Sequence, residues 1–160
     1  SGAALQFAVG DLRSDRQVVV AAVRQNGGAL PLASEAFRAD RAVVLTAVRQ
    51  SGHAWIHVWA PLRYDREVIL AVVGQSGSML NSFSWLWHDR EVFLAAVKQD
   101  GGALAFASTV LREDREVVLA AVQQNWRAIE FSSVALRRDP EAWAAADSAV
   151  FSLAWLSVPG

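Results

Sequence analysis

Three histidines are the residues of this 160-residue chain best suited to bind a metal ion. His53 and His57 are four residues apart, a spacing that places two imidazoles on one face of an α-helix, and His88 follows one repeat later. A zinc site needs a third or fourth ligand, and no cysteine and no well-placed acidic residue supplies it. We therefore expect solvent-facing or hydrogen-bonded histidines, with no metal and no cofactor.

Arginines recur in pairs and are the residues best suited to contact phosphate groups. Each pair brackets an aspartate, at Arg13/Arg16, Arg38/Arg41, Arg63/Arg66 and Arg112/Arg115. A row of guanidinium groups on one surface would bind a nucleic-acid backbone. The net charge is only −1 and acids are interleaved, so we expect each aspartate to pair with an arginine of its own or an adjacent repeat. No nucleic-acid partner is expected.

No residues with catalytic spacing stand apart from the repeated scaffold. The sequence has no Gly-rich phosphate loop and no nucleophile elbow. The absence of cysteine excludes a thiol nucleophile and disulfides. We predict that the chain is not an enzyme.

Aromatic residues concentrate in the middle of the chain. Trp55 and Trp59 replace Leu30 and Ser34 on an inward-facing stripe, which favours a core position for both. The spacing from Gly77 to Asp89 is one residue short, which rotates the subsequent residues by about 100° on an α-helix and could turn Trp85 or Trp87 outward. Because Trp and Tyr dominate binding hot spots, this region is the predicted contact surface. The candidate partner-binding residues are Trp55, Trp59, Tyr64, Trp85, Trp87, Trp143, Phe151 and Trp155.

A tandem repeat positions all of these residues. An aspartate, in most copies followed by arginine, recurs at steps of 24 or 25 residues, at Asp15, Asp40, Asp65, Asp89, Asp114 and Asp139. A fixed period of this length is typical of arrays in which each unit buries its apolar face against its neighbours. The predicted units are a half repeat 1–14, repeats 15–39, 40–64, 65–88, 89–113 and 114–138, and a degenerate capping helix 139–160.

Each unit is predicted to form two helices of about ten residues. The aspartate is a good N-cap, and an apolar run follows it. Gly27, Gly52, Gly77 and Gly101 then stand where a left-handed residue would end the first helix. A second apolar stripe follows, which Pro61 should end or kink in one copy. The prediction is an all-α solenoid of stacked two-helix repeats of about 25 residues in a single domain.

The two ends of the chain depart from this pattern. Ser1-Gly2 aligns with the Asn26-Gly27 turn, which predicts an excerpt of a longer array or a first repeat without its first helix. Near the other end Trp126 replaces the turn glycine, although Asn125 could adopt the left-handed conformation. The apolar stretch 142–158 contains Asp147, so a docked terminal helix is favoured over a membrane span.

The repeated phrase resembles a known family of tandem repeats. Residues 114–125 read Asp-Arg-Glu-Val-Val-Leu-Ala-Ala-Val-Gln-Gln-Asn, and residues 40–52 follow the same pattern. They are similar to a family known only as a domain of unknown function, common in unicellular algae and related protists. The resemblance covers about residues 2–138, with departures at 55–87 and after Asp139. It implies helical repeats and no assigned catalytic residues.

These observations favour a non-catalytic scaffold or protein-interaction module, whose protein partner the sequence does not identify. The alternative is a peripheral subunit of a large, membrane-associated organellar complex, photosynthetic or respiratory. In that case the Trp-rich centre and the apolar C-terminal helix would contact neighbours in the membrane complex.

Overall fold

The computed structural model describes residues 10–144, and every regular element within them is helical. In this part of the chain the α-helices are α1 (Arg16–Gln25), α2 (Glu35–Arg38), α3 (Arg41–Gln50), α4 (Arg66–Gln75), α5 (Arg90–Gln99), α6 (Thr109–Glu113), α7 (Arg115–Gln124) and α8 (Val134–Arg137). The ten-residue helices are α1, α3, α4, α5 and α7, and each begins one residue after a repeated aspartate. The predicted all-α repeat solenoid is confirmed.

The repeated aspartate caps each ten-residue helix. The Asp15 carboxylate accepts hydrogen bonds from the backbone N–H groups of Gln17 and Val18. Asp40 repeats this arrangement, and Asp65, Asp89 and Asp114 each accept from the N–H group three residues later. Asp139 accepts from the N–H of Glu141, at the start of a helix that is described over residues 140–144. The caps satisfy backbone donors that have no partner within the helix.

The second half of each repeat differs from the expected ten-residue helix. It begins with a six-residue 3-10 helix, at Gly27–Leu32, Gly52–His57, Gly77–Ser82, Gly101–Phe106 and Trp126–Phe131. A break follows, and then comes a shorter helix: α2, Ala60–Tyr64, Ser84–Leu86, α6 or α8. The break at Ala33 is extended, with φ −74° and ψ 158°. An apolar spacing of three residues fits a 3-10 helix as well as an α-helix, so periodicity could not distinguish them.

The turn glycines allow close packing and are not left-handed. None of Gly27, Gly52, Gly77 and Gly101 lies in the left-handed region of φ, so the predicted role as left-handed helix stops is wrong. Each helix instead ends at an extended residue such as Asn26, whose N–H still bonds to the carbonyl of Ala22. Asn125 is also extended, with φ −146°. A Cβ at Gly77 would lie 2.5 Å from the carbonyl oxygen of Ala96 in the next ten-residue helix.

The repeated glutamine joins consecutive repeats at these glycines. Gln75 Oε1 accepts a hydrogen bond of 2.7 Å from the Gly52 N–H, and Gln124 Oε1 accepts one of 2.6 Å from the Gly101 N–H. Gln50 accepts from Gly27 in the same way. The glutamine of each of these repeats therefore satisfies a backbone donor of the repeat before it, which favours one register of stacking.

The chain divides into two compact units, residues 1–76 and 77–160. In the first unit α3 packs against both α1 and α4, and in the second unit α5 packs against α7. Each unit has its own aliphatic core, with Val19 and Val43 fully buried in the first and Val92 and Val117 in the second. Among the described helices, none is long and apolar enough to span a membrane.

Candidate interaction surface

Trp55 is part of the scaffold of the first unit. The Arg63 guanidinium lies over its ring at 5.6 Å from the centroid, and Trp55 Nε1 donates to the carbonyl oxygen of Arg63 at 3.4 Å. Arg63 also donates to the carbonyls of Val58 and Ile56, at 2.8 and 2.7 Å. This network holds the indole half-buried, whereas Leu30, at the same repeat position, is fully buried.

Trp59 and Tyr64 lie on the surface of the first unit. Their exposed fractions are 46% and 69%, so the predicted core position of Trp59 is wrong. The 3-10 helix before it ends at His57, and the buried residue that comes next is Val58. Pro61 then occupies an early position of the next helix, Ala60–Tyr64, where no donor is needed. The break lies before Trp59, where the other repeats also break, so Pro61 does not end a helix in its last turn as predicted but stands at the start of the next one.

Trp85 and Trp87 lie in the second unit and have different environments. Trp85 is 50% exposed, and its ring meets the fully buried Phe83 edge to face, with centroids 5.7 Å apart. The predicted outward turn is thus found at Trp85. Trp87 is half-buried against Phe106, with centroids 6.4 Å apart. Its Nε1 is buried and has no hydrogen-bond partner among the described residues.

Further exposed apolar residues of the second unit were not predicted. Phe106 and Phe131 are 38% and 36% exposed, and each is the last residue of its six-residue 3-10 helix. These two helices pack against each other. The sequence does contain a signal for these two residues, because the phenylalanines stand at the same position of consecutive repeats, 25 residues apart. We call Trp85, Trp87, Phe106 and Phe131 the aromatic surface.

The remaining aromatic candidates lie near the end of the chain. Trp143 is 44% exposed, and its Nε1 donates to the carbonyl of Arg137 at 2.7 Å. Phe151 and Trp155 lie outside the described residues. Trp126, at the place of the turn glycine, is 37% exposed and carries the Arg127 guanidinium 5.4 Å from its ring centroid.

The histidines are exposed. His53 and His57 lie on a 3-10 helix, where a separation of four residues corresponds to about 120° around the axis. The shared face assumed for an α-helix is therefore lost. Across residues 10–144 no group of three His, Cys, Asp or Glu side chains is arranged to hold a metal ion. His88 is exposed in the second unit.

The repeated arginines pair with the aspartate of the following repeat. Arg16 meets Asp40 at 2.5 Å, Arg41 meets Asp65 at 2.8 Å, Arg90 meets Asp114 at 2.7 Å and Arg115 meets Asp139 at 3.4 Å. Glu67, Glu116 and Glu141 accept a further bond from Arg41, Arg90 and Arg115. These guanidinium groups thus have carboxylate partners, as expected for pairing between repeats.

The pairs change the acidity of the carboxyl groups. The hydrogen bond from Arg41 lowers the pKa of Asp65 below its usual 3.8, against a smaller opposing effect of burial. Asp40 and Asp114 have lowered pKa values for the same reason, through Arg16 and Arg90. The carboxylates therefore stay charged at neutral pH. Because the pairs are largely exposed, their individual contribution to stability is small.

The first arginine of two of the pairs, the one that comes before the aspartate, bonds to backbone carbonyls instead of to a carboxylate. Arg112 donates from Nε to the carbonyl of Ala107 at 3.0 Å and from its terminal nitrogen to that of Ala105 at 2.8 Å. Arg63 makes the equivalent contacts in the first unit. These side chains close the carbonyl end of the 3-10 helix, where the backbone acceptors have no partner within the helix.

Comparison with known proteins bears on the family alone. No match is found among curated proteins or among solved structures. A family described as "Domain of unknown function (DUF4116)" matches residues 1–38 and 89–137, together more than half of the chain. The stretch 39–88 between them contains the departures from the repeat pattern at residues 55–87. The protein belongs to this family of unknown function.

Proposed function

We propose that the protein is a non-catalytic interaction module that binds a partner protein through the aromatic surface of its second unit. The observation that carries this proposal is the position of the exposed apolar side chains. Among the described residues, the large apolar side chains that are most exposed lie outside the ten-residue helices. The two halves of each repeat therefore have different surfaces.

The ten-residue helices of the second unit expose polar groups. Arg90, Glu91 and Lys98 are exposed on α5, and Arg115 and Glu116 on α7. Phe106 and Phe131 are on the 3-10 helices that come after α5 and α7, and Trp85 is on the short 3-10 helix Ser84–Leu86 before α5. Clustered apolar groups beside a polar surface are typical of protein-binding sites.

The geometry of the rings supports the same function. Phe83 is fully buried, so its edge-to-face contact limits the orientations of the exposed Trp85 ring. Phe106 is held beside Trp87. Side chains that are already ordered lose little conformational entropy on binding, which favours affinity. Trp is also over-represented among residues that dominate binding energy.

The experiment is affinity capture of a partner from an extract of the source cells, with quantification of the retained proteins. W85A and F106A should each reduce retention of a specific protein, by about 30-fold if the residue is a hot spot worth roughly 2 kcal/mol. The matched controls are K98A and Q123A, which truncate exposed side chains on the ten-residue helices of the same unit. They should retain the protein at the level of the unmodified chain.

Thermal unfolding of every variant separates binding from folding. W85A and F106A should keep a Tm close to that of the unmodified chain, because both side chains are substantially exposed. The proposal fails if retention is the same in all variants. It also fails if retention falls only in proportion to a loss of Tm.

A further inference from the structure

We infer that the first unit binds an acidic protein segment, one that has a carboxylate beside a large apolar side chain. The site consists of Ile56, Trp59 and Tyr64 together with the neighbouring Arg38, and we call it the first-unit surface. It goes beyond the proposed function, because it lies in the other unit and specifies the chemistry of a different partner.

The apolar part of the first-unit surface is concentrated in a short stretch of chain. Ile56 is 53% exposed, and Trp59 and Tyr64 are exposed as well. Ile56 belongs to the 3-10 helix Gly52–His57, and Tyr64 is the last residue of the next one, Ala60–Tyr64. These side chains offer a partner both apolar area and a phenol, and none of them has to leave the core to do so.

Acidic side chains are absent from the repeat that carries these residues. Between the capping Asp40 and Asp65 there is no Asp or Glu, whereas each of the other four complete repeats has at least one besides its capping aspartate. The bordering acids are paired, Asp40 with Arg16, and both Asp65 and Glu67 with Arg41. A negatively charged partner therefore meets no opposing charge from this repeat.

Arg38 supplies a positive charge beside the apolar residues. Its carbonyl oxygen accepts a hydrogen bond of 3.2 Å from the Trp59 N–H. The 3-10 helix that precedes Arg38 in its repeat, Gly27–Leu32, packs against Gly52–His57. The segment that carries Arg38 is therefore in direct contact with the segment that carries the exposed side chains.

The Arg38 guanidinium differs from its equivalents in having an unused donor. Arg63 and Arg112, at the same repeat position, donate from Nε to the carbonyls of Val58 and Ala107. The Arg38 Nε is buried and has no hydrogen-bond partner among the described residues. Burying an N–H group without a partner costs free energy, so a carboxylate that engages Arg38 gains more than one that must displace an existing bond.

These features favour an acidic protein segment over other negatively charged partners. Nucleic acids and anionic membranes are bound by clusters of Lys and Arg, each of which adds to the affinity. The first unit contains no lysine. A guanidinium binds one carboxylate through two parallel hydrogen bonds, and Trp and Tyr are favoured at protein-binding hot spots. The occupant is therefore a short segment with an Asp or Glu next to a large apolar residue.

The experiment selects binders of the whole chain from a displayed library of random peptides at neutral pH. Sequencing should show Asp or Glu next to Leu, Phe or Trp more often than in the unselected library. A selected peptide is then synthesised with a fluorescent label, and its Kd is measured by fluorescence anisotropy. W59A and R38Q should each weaken binding by about tenfold or more.

A double-mutant cycle tests the charge contact. The peptide carboxylate is replaced by its amide, Asp by Asn or Glu by Gln, which should weaken binding to the unmodified chain by about tenfold. The same replacement should change binding to R38Q by less than about twofold. R24Q is the matched control, because Arg24 is an exposed arginine on α1 of the same unit. It removes the same charge and should leave the affinity for both peptides unchanged.

Thermal unfolding of the same variants separates binding from folding. Trp59 is substantially exposed and the Arg38 Nε has no partner to lose, so W59A and R38Q should keep a Tm close to that of the unmodified chain. I56A is the second variant of the apolar part, in case W59A lowers the Tm. It should weaken peptide binding by about threefold or more.

Four results would overturn the inference. The selection could yield no peptide whose binding depends on Trp59, or peptides that are not enriched in Asp and Glu. Amide replacement could weaken binding to R38Q as much as binding to the unmodified chain. The fourth is tighter binding of single-stranded RNA, or of vesicles that contain phosphatidylserine, that is lost in R38Q. W85A should leave peptide binding unchanged, so this inference and the proposed function can fail independently.

Discussion

Replacement of Gly101 by alanine tests the packing between repeats most directly. The Cβ would come closer than 3.0 Å to the Ala121 carbonyl oxygen and would lie 3.0 Å from Asn125 Cβ. The oxygen belongs to the backbone of α7, so it cannot move aside as a side chain could. We expect the stack of α7 on the 3-10 helix to open.

The expected loss of stability in the Gly101→Ala variant arises from two contacts. Forcing one extra methyl group into a packed interface costs about 1–3 kcal/mol. The hydrogen bond of 2.6 Å from the Gly101 N–H to Gln124 Oε1 would lengthen or break, with a loss of about 0.5–1.5 kcal/mol. Together these lower the free energy of unfolding by about 2–4 kcal/mol.

The assay is guanidinium unfolding followed by circular dichroism, with Gly74→Ala as the matched control. Gly74 lies within α4, and a Cβ there would meet nothing within 4 Å. Alanine is favoured over glycine inside a helix, so the control should raise the stability by about 0.5–1 kcal/mol. The same replacement of glycine by alanine should therefore lower the free energy of unfolding at Gly101 and raise it at Gly74. A Gly101→Ala variant as stable as the unmodified chain would refute the close-packing account of these glycines.

The remaining predictions concern charge, the 3-10 helix and the core. Arg90 lowers the pKa of Asp114, so the stabilisation from this pair is present above pH 3.8 and is lost as the pH falls through the lower folded-state pKa. The urea midpoint should therefore stay level as the pH is lowered from 7 and should drop only below pH 3.8. Arg112→Lys cannot reproduce both carbonyl contacts and should cost about 1–2 kcal/mol in urea unfolding, and no loss would contradict this role. Phe83→Ala should cost about 3–5 kcal/mol, whereas Trp85→Ala should cost less than about 1.5 kcal/mol; equal losses in thermal unfolding would show that Trp85 belongs to the core.

The starts of the ten-residue helices could be predicted from the sequence because their signals are local. Asp40 needs only the next few backbone amides to act as a cap, and the same is true of its equivalents. The 24- or 25-residue period then indicated stacked repeats. The second half of each repeat was harder, because Leu30 and Ala33 have a spacing that fits either kind of helix.

The candidate surface was only partly predictable. The exposure of Trp85 agreed with the residue missing before Asp89, whereas Trp59 was expected in the core and lies outside it. Phe106 and Phe131 were overlooked, because a phenylalanine in an apolar stripe usually indicates core. Which side chain remains exposed depends on where the 3-10 helix ends, and that depends on packing between repeats.

The sequence by itself determined that the protein is an all-α array and where its ten-residue helices begin. It also indicated that the arginines pair with the repeated acids. These features depend on neighbours in the chain or on a fixed period. Only the tertiary structure decided why Gly101 must be glycine, what Gln124 bonds to and which aromatic rings face solvent. The contacts of Gly101 and Gln124 depend on atoms of an adjacent repeat, 20 or more residues away, whose approach is set by the packing between repeats.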